Sequence, residues 1–87
     1  MKIHILYRPN SDHSRQVDEY VHEFKRRRNI DIQLVNIDGR EGSNEAEAYD
    51  IVSYPAIVVT KDNGELVMHW QGDSLPLMDE LAAYASM

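Results

Sequence analysis

Tyr54-Pro55-Ala56-Ile57-Val58-Val59-Thr60-Lys61-Asp62-Asn63-Gly64-Glu65-Leu66-Val67-Met68-His69-Trp70-Gln71 is the most informative run of this chain. Ala56 to Thr60 is continuously apolar, the pattern of a central strand buried on both faces. Asn63-Gly64 is the strongest short hairpin signal, because such turns need residues that tolerate positive φ. Beyond it Leu66, Met68 and Trp70 alternate with Val67, His69 and Gln71, which predicts a second strand. The turn between the two is tight, so they should run antiparallel.

Working outward, Lys2 to Tyr7 is short, rich in β-formers and stopped by Arg8-Pro9-Asn10, and reads as the first strand. Val17, Tyr20, Val21 and Phe24 recur at the spacing of an amphipathic helix. Ser11 or Ser14 can cap that helix. Lys25 to Arg28 close it where cations oppose the negative end of its dipole, and Asn29 suits the position just after. Ile30 to Ile37 predict the second strand, and Asp38 to Gly42 a loop. Asn44-Glu45-Ala46-Glu47 matches a capping box that opens a short helix to about Asp50. Gly72-Asp73-Ser74 breaks the last strand and caps a final helix over Leu75 to Ala85, with Pro76 in its first turn. Met78, Leu81, Ala82 and Ala85 form its apolar stripe. The first two strands need a helical crossover and should be parallel. The order β-α-β-α-β-β-α predicts an α/β fold, a mixed four-stranded sheet flanked by three helices.

The 87 residues suffice for one domain, 1–87, with no room for a second core. Hydrophobic residues at 43% and charged residues at 28% match a globular chain rather than a disordered one. A net charge of −6 argues against nucleic-acid partners, since phosphates repel an acidic surface. There is no cysteine, which removes disulfides, zinc thiolates and cysteine nucleophiles. The N-terminus enters a strand directly, with no signal-peptide core and no apolar span near about 20 residues. No membrane association and a cytoplasmic location are therefore expected.

Three blocks, taken in order with the proline ahead of the third strand, resemble the thioredoxin/glutaredoxin superfamily over essentially the whole chain. They are Leu6-Tyr7-Arg8-Pro9-Asn10-Ser11-Asp12-His13-Ser14, Val35-Asn36-Ile37-Asp38, and Tyr49-Asp50-Ile51-Val52-Ser53-Tyr54-Pro55. Asp62-Asn63-Gly64-Glu65-Leu66 completes the likeness. The resemblance implies a thioredoxin-like fold, a cis Tyr54–Pro55 bond, and a Tyr54 main chain that lends its N–H and C=O to an extended peptide. It also places Ser11 and Ser14 where the family keeps a C-x-x-C dithiol. A thiol at a helix N-terminus ionises readily, because free N–H groups and the dipole stabilise the thiolate. A hydroxyl is far too weak an acid to do the same. Thiol–disulfide exchange on this chain's own residues is therefore not available.

Asn10, Ser11, Asp12, His13 and Ser14 are candidate binding residues at a helix N-terminus; simple capping is the competing reading. His13 between two serines invites a nucleophilic reading, but sequence neighbours on one turn rarely align as nucleophile, base and orienter. No catalytic residue is assigned. Tyr54 and Pro55 are binding candidates through the resemblance. So are Gly72 and Asp73, which fall where glutaredoxins grip glutathione. Tyr7 and Trp70 suit the sheet core. His4, His13, His22 and His69 lack metal-ligand spacing, so neither metal nor cofactor is expected. Lys25 to Arg28 suit a helix terminus better than a nucleic-acid patch.

These readings predict a non-enzymatic, redox-inactive domain that binds a protein or extended peptide through the cis-proline groove. One alternative is glutathione or another small thiol, with Ser11 in the thiolate-stabilising role. Another is a regulatory adaptor, since cysteine-free proteins similar to the clock component KaiB share this broad fold class and a comparable Gly-Asp-plus-helix end.

Overall fold

Alternation along the strands builds two apolar layers. The computed structural model describes residues 1–72 and 74–86. Its elements are β1 (Lys2–Tyr7), α1 (Ser14–Arg28), β2 (Gln33–Asn36), α2 (Arg40–Ala48), β3 (Ala56–Thr60), β4 (Leu66–Gln71) and α3 (Met78–Ala85). The sheet runs β2-β1-β3-β4. β1 and β2 are parallel, and β3 is antiparallel to both β1 and β4. Ile3 and Ile5 pack with Ile57 and Val59 against Val17 and Phe24 of α1 and Leu81 and Ala82 of α3. Leu6, Ala56 and Val58 pack on the opposite face with Ala46 of α2, Ile37 and Ile51. Thus α1 and α3 cover one face and α2 the other.

The basic run at the end of α1 is neutralised from within. Glu23 accepts hydrogen bonds from Arg26 and Arg27, Lys25 pairs with Asp31 at 3.2 Å, and Arg28 pairs with Asp79. The hydrogen bond from Arg26, then that from Arg27, lowers the exposed Glu23 carboxyl to about 2. Asn29 closes the helix in the left-handed region at φ 55°, its N–H donating to the Lys25 carbonyl.

Three boundaries differ from the sequence reading. β2 is confined to Gln33–Asn36 rather than Ile30 to Ile37. α2 begins at Arg40, so the Asn44 capping box lies inside the helix. The Asn36 side chain accepts from the Asp38 N–H and the Asn36 carbonyl from the Gly39 N–H, which turns the chain into the helix at once. Glu45 then turns to His4 on β1 instead of capping. α3 begins at Met78 behind an extended Leu77, so Pro76 precedes the helix and Ser74 does not cap it. The reason is a tertiary bond: the Tyr20 hydroxyl donates to the Pro76 carbonyl at 2.8 Å, holding that segment outside the helix.

α2 docks so closely that Gly42 has no space for a side chain. A Cβ there would lie 2.0 Å from the Asn36 carbonyl oxygen. Alanine normally gains about 1 kcal/mol over glycine inside a helix. Here the clash with main chain outweighs that gain, and Gly42→Ala should lower stability by about 2 kcal/mol in urea denaturation.

Tyr20 is pushed up to about 12, first by burial and then by the Glu80 carboxylate. An unfolded tyrosine ionises near about 10. The unfolded chain therefore releases this proton first, and stability should fall as pH rises through that window. Absorbance titration should show one tyrosine ionising near pH 12, and Tyr20→Phe should remove that transition.

Candidate functional site

β1 ends at Tyr7, and the chain folds back on itself before α1. The Ser11 hydroxyl donates to the Arg8 carbonyl at 2.6 Å, and the Ser14 hydroxyl to the Ser11 carbonyl at 3.0 Å. The Arg8 N–H donates to His13 Nε2 at 3.1 Å. His13, not Ser11 or Ser14, occupies the N-cap of α1, and it makes no side-chain cap bond. The capping role expected of the two serines is thus replaced by bonds that lock the preceding turn.

A second segment approaches from β3. The Val52 and Ser53 N–H groups both donate to Gln71 Oε1, at 2.8 and 3.1 Å. The Tyr54–Pro55 peptide bond is cis. Pro55 is buried, and its carbonyl accepts from the Gly72 N–H at 3.0 Å. Gly72 sits at φ 96°, a conformation that favours glycine. None of the turn and loop main-chain bonds among the described residues uses the N–H or C=O of Tyr54.

Between the two segments lies an open cleft of about 450 Å³. Ser11, Asp12 and His13 line one side and Tyr54 the other, with Arg8, Gln16 and Ile37 completing it. Arg8 also pairs with Asp38 at 3.2 Å at the rim. Of the residues singled out from sequence, Ser11, Asp12, His13 and Tyr54 come together here. Asn10, Ser14, Pro55 and Gly72 do not line the cleft, and Asp73 lies outside the described residues. Arg8, Gln16 and Ile37 were not anticipated. Arg8 and Ile37 directly follow the parallel strands β1 and β2, and the carboxyl ends of parallel strands are where such sheets bind ligands.

The chemistry of the cleft is that of hydrogen bonding. Each serine has one hydroxyl hydrogen, and both are given to main-chain carbonyls. His13 Nε2 already accepts from Arg8, so no serine–histidine line forms. Among the described residues, no group of three His, Asp or Glu side chains converges to hold a metal ion, and no helix is long and apolar enough to cross a membrane.

No family model matches the sequence, and no curated protein sequence matches it. Solved structures do match. Thioredoxin 1 from the thermophilic eubacterium Thermosipho africanus TCF52B superposes with a TM-score of 0.68 over 99% of this chain and 91% of that one, at 10% identity. The chain has the thioredoxin fold. A crystal structure described as that of a designed protein gives the same TM-score of 0.68 at 22% identity, covering 98% of this chain and 72% of that one. Within this thioredoxin-like fold, the cysteine-free chain presents Ser11 to Ser14 at the start of α1 and Tyr54 at the entry to β3.

Gln71 is the clamp on the Tyr54 segment. Gln71→Ala should cost about 1 kcal/mol, because water replaces its oxygen at this exposed site. Amide exchange at Val52 and Ser53 should accelerate sharply while Ile57 and Val59 stay slow.

Proposed function

We propose that this thioredoxin-fold domain binds an extended polypeptide along Tyr54, without redox chemistry of its own. One observation carries the reading: Tyr54 borders the cleft with its main-chain N–H and C=O outside the turn and loop bonds formed by the described residues. An extended peptide satisfies both groups by main-chain pairing, and pockets beside them choose among side chains. Ser11, Asp12 and His13 face that peptide from the other wall. The absence of cysteine supports a binding role over thiol exchange.

The small-thiol alternative requires the Ser11 hydroxyl to donate to a thiolate. That hydrogen is given to Arg8 at 2.6 Å, which weighs against it. No specific observation favours the adaptor reading.

The test begins with random-sequence peptides displayed on phage and selected on the protein. A selected peptide, titrated into isotope-labelled protein, should shift the amides of Ser11, Asp12, His13 and Tyr54. Asp12→Lys, on the exposed wall, should change affinity by about tenfold, or ~1.4 kcal/mol. Shifts confined to another surface would refute the reading, as would shifts at Ser11 with glutathione but with no selected peptide.

A further inference from the structure

The sheet has two edges, and they are finished differently. β4 meets β3 with a register shift at Val59/Thr60, the kind of irregularity that blunts an edge. β2 is short, four residues, but carries no such irregularity. Its residues, Gln33-Leu34-Val35-Asn36, include no charge and no proline, and Leu34 is 42% exposed. Edge strands normally carry a lysine, a proline or a bulge to prevent pairing with another chain.

The main-chain groups on that edge can be assigned. The Ile37 N–H donates to the Tyr7 carbonyl, so Ile37, Val35 and Gln33 turn their N–H and C=O toward β1. Alternation turns those of Ile32, Leu34 and Asn36 outward. The Asn36 carbonyl is taken by the Gly39 N–H, and the first turn of α2 crowds it. The main-chain groups of Leu34, and of Ile32 at the border of the core, enter no turn or loop bond among the described residues.

We infer that the β2 edge is a self-association surface on which two copies of this chain pair antiparallel about a two-fold axis at Gln33. Each Ile32 then lies opposite the Leu34 of the other copy, and each such pair exchanges both its N–H···O=C bonds. The exposed Leu34 side chain then lies beside Ile32 of the other copy, at the rim of the core in which that Ile32 is buried. The two sheets become one continuous sheet, and the interface is isologous.

Charge selects a second copy over an unrelated strand. Arg40 flanks the same edge groove as Leu34, and it forms no ion pair among the described residues. At the other end of the edge, Asp31 is 86% exposed and, among the described residues, pairs with Lys25 alone. Antiparallel pairing brings the Arg40 end of one copy to the Asp31 end of the other, twice. With Gln33 on the axis, Asp31 falls opposite Val35, so no two like charges face each other across the strands.

Sedimentation equilibrium from about 10 μM to about 1 mM tests this, the range suited to a small interface. The expected result is a concentration-dependent doubling of mass. Leu34→Pro removes only an outward N–H, which edge strands tolerate, and should give monomer with unchanged circular dichroism. If that variant fails to fold, Leu34→Lys at the same exposed position should abolish the dimer in its place. Arg40→Glu should weaken association about two- to fivefold, and the combined Arg40→Glu, Asp31→Arg exchange should restore it. A monomer throughout would overturn the inference and leave the edge to a strand of another protein or to solvent. A dimer untouched by both Leu34 variants would overturn it too, placing the contact elsewhere.

Discussion

Burial of β3 on both faces is the constraint from which the rest of the molecule follows. Every residue from Ala56 to Thr60 is buried. Ile57 and Val59 enter the core under α1 and α3, and Ala56 and Val58 enter the core under α2. Ile57, Val58 and Val59 each contribute about 1.5–3 kcal/mol when fully buried. A strand in this position must also satisfy its main chain on both sides, and β1 and β4 do so. The segment therefore reads as an apolar run from Ala56 to Val59, with Thr60 as its buried polar end.

That rigidity is what positions the cleft. β3 begins one residue after Pro55, so Tyr54 is held at the end of the most buried strand. The residues ahead of it are tied to Gln71 at the end of β4, and Gly72 is tied to Pro55. Across the cleft, the Ser11–Ser14 turn is held by bonds to its own main chain rather than by packing. The result is a concave surface with fixed walls and a main-chain donor and acceptor at its border. Binding benefits from walls already ordered in the free protein, since less ordering entropy is lost on association.

Most of the fold was legible because period and punctuation are local signals. The strand limits of β1, β3 and β4 follow from residue type and from Asn63-Gly64, and Asn29 marks the end of α1. Boundaries fixed by contacts distant in sequence were not legible. Pro76 suits a helix start, but the Tyr20 hydroxyl takes its carbonyl. Asn44 and Glu47 suit a capping box, but the turn at Asn36 and Gly39 starts α2 earlier, and Glu45 serves His4. Four of the seven residues lining the cleft were visible for a similar reason. Ser11, Asp12, His13 and Tyr54 stand out by residue type and by resemblance. Arg8 and Ile37 stand within the blocks of the likeness but nothing in their residue type marks them, or Gln16, as site residues, and the parallel pairing of β1 and β2 brings two of them to one end of the sheet.

The most direct test of this account is native-state amide hydrogen exchange across the junction at Pro55. Ile57, Val58 and Val59 are bonded within the sheet and buried, so their amides should exchange only through global unfolding and rank among the slowest. Tyr54, just across Pro55, should exchange far faster, because its N–H enters none of the turn and loop bonds formed by the described residues. Equal protection on both sides of Pro55, or rapid exchange within β3, would contradict a rigid central strand presenting an open main-chain edge to the cleft.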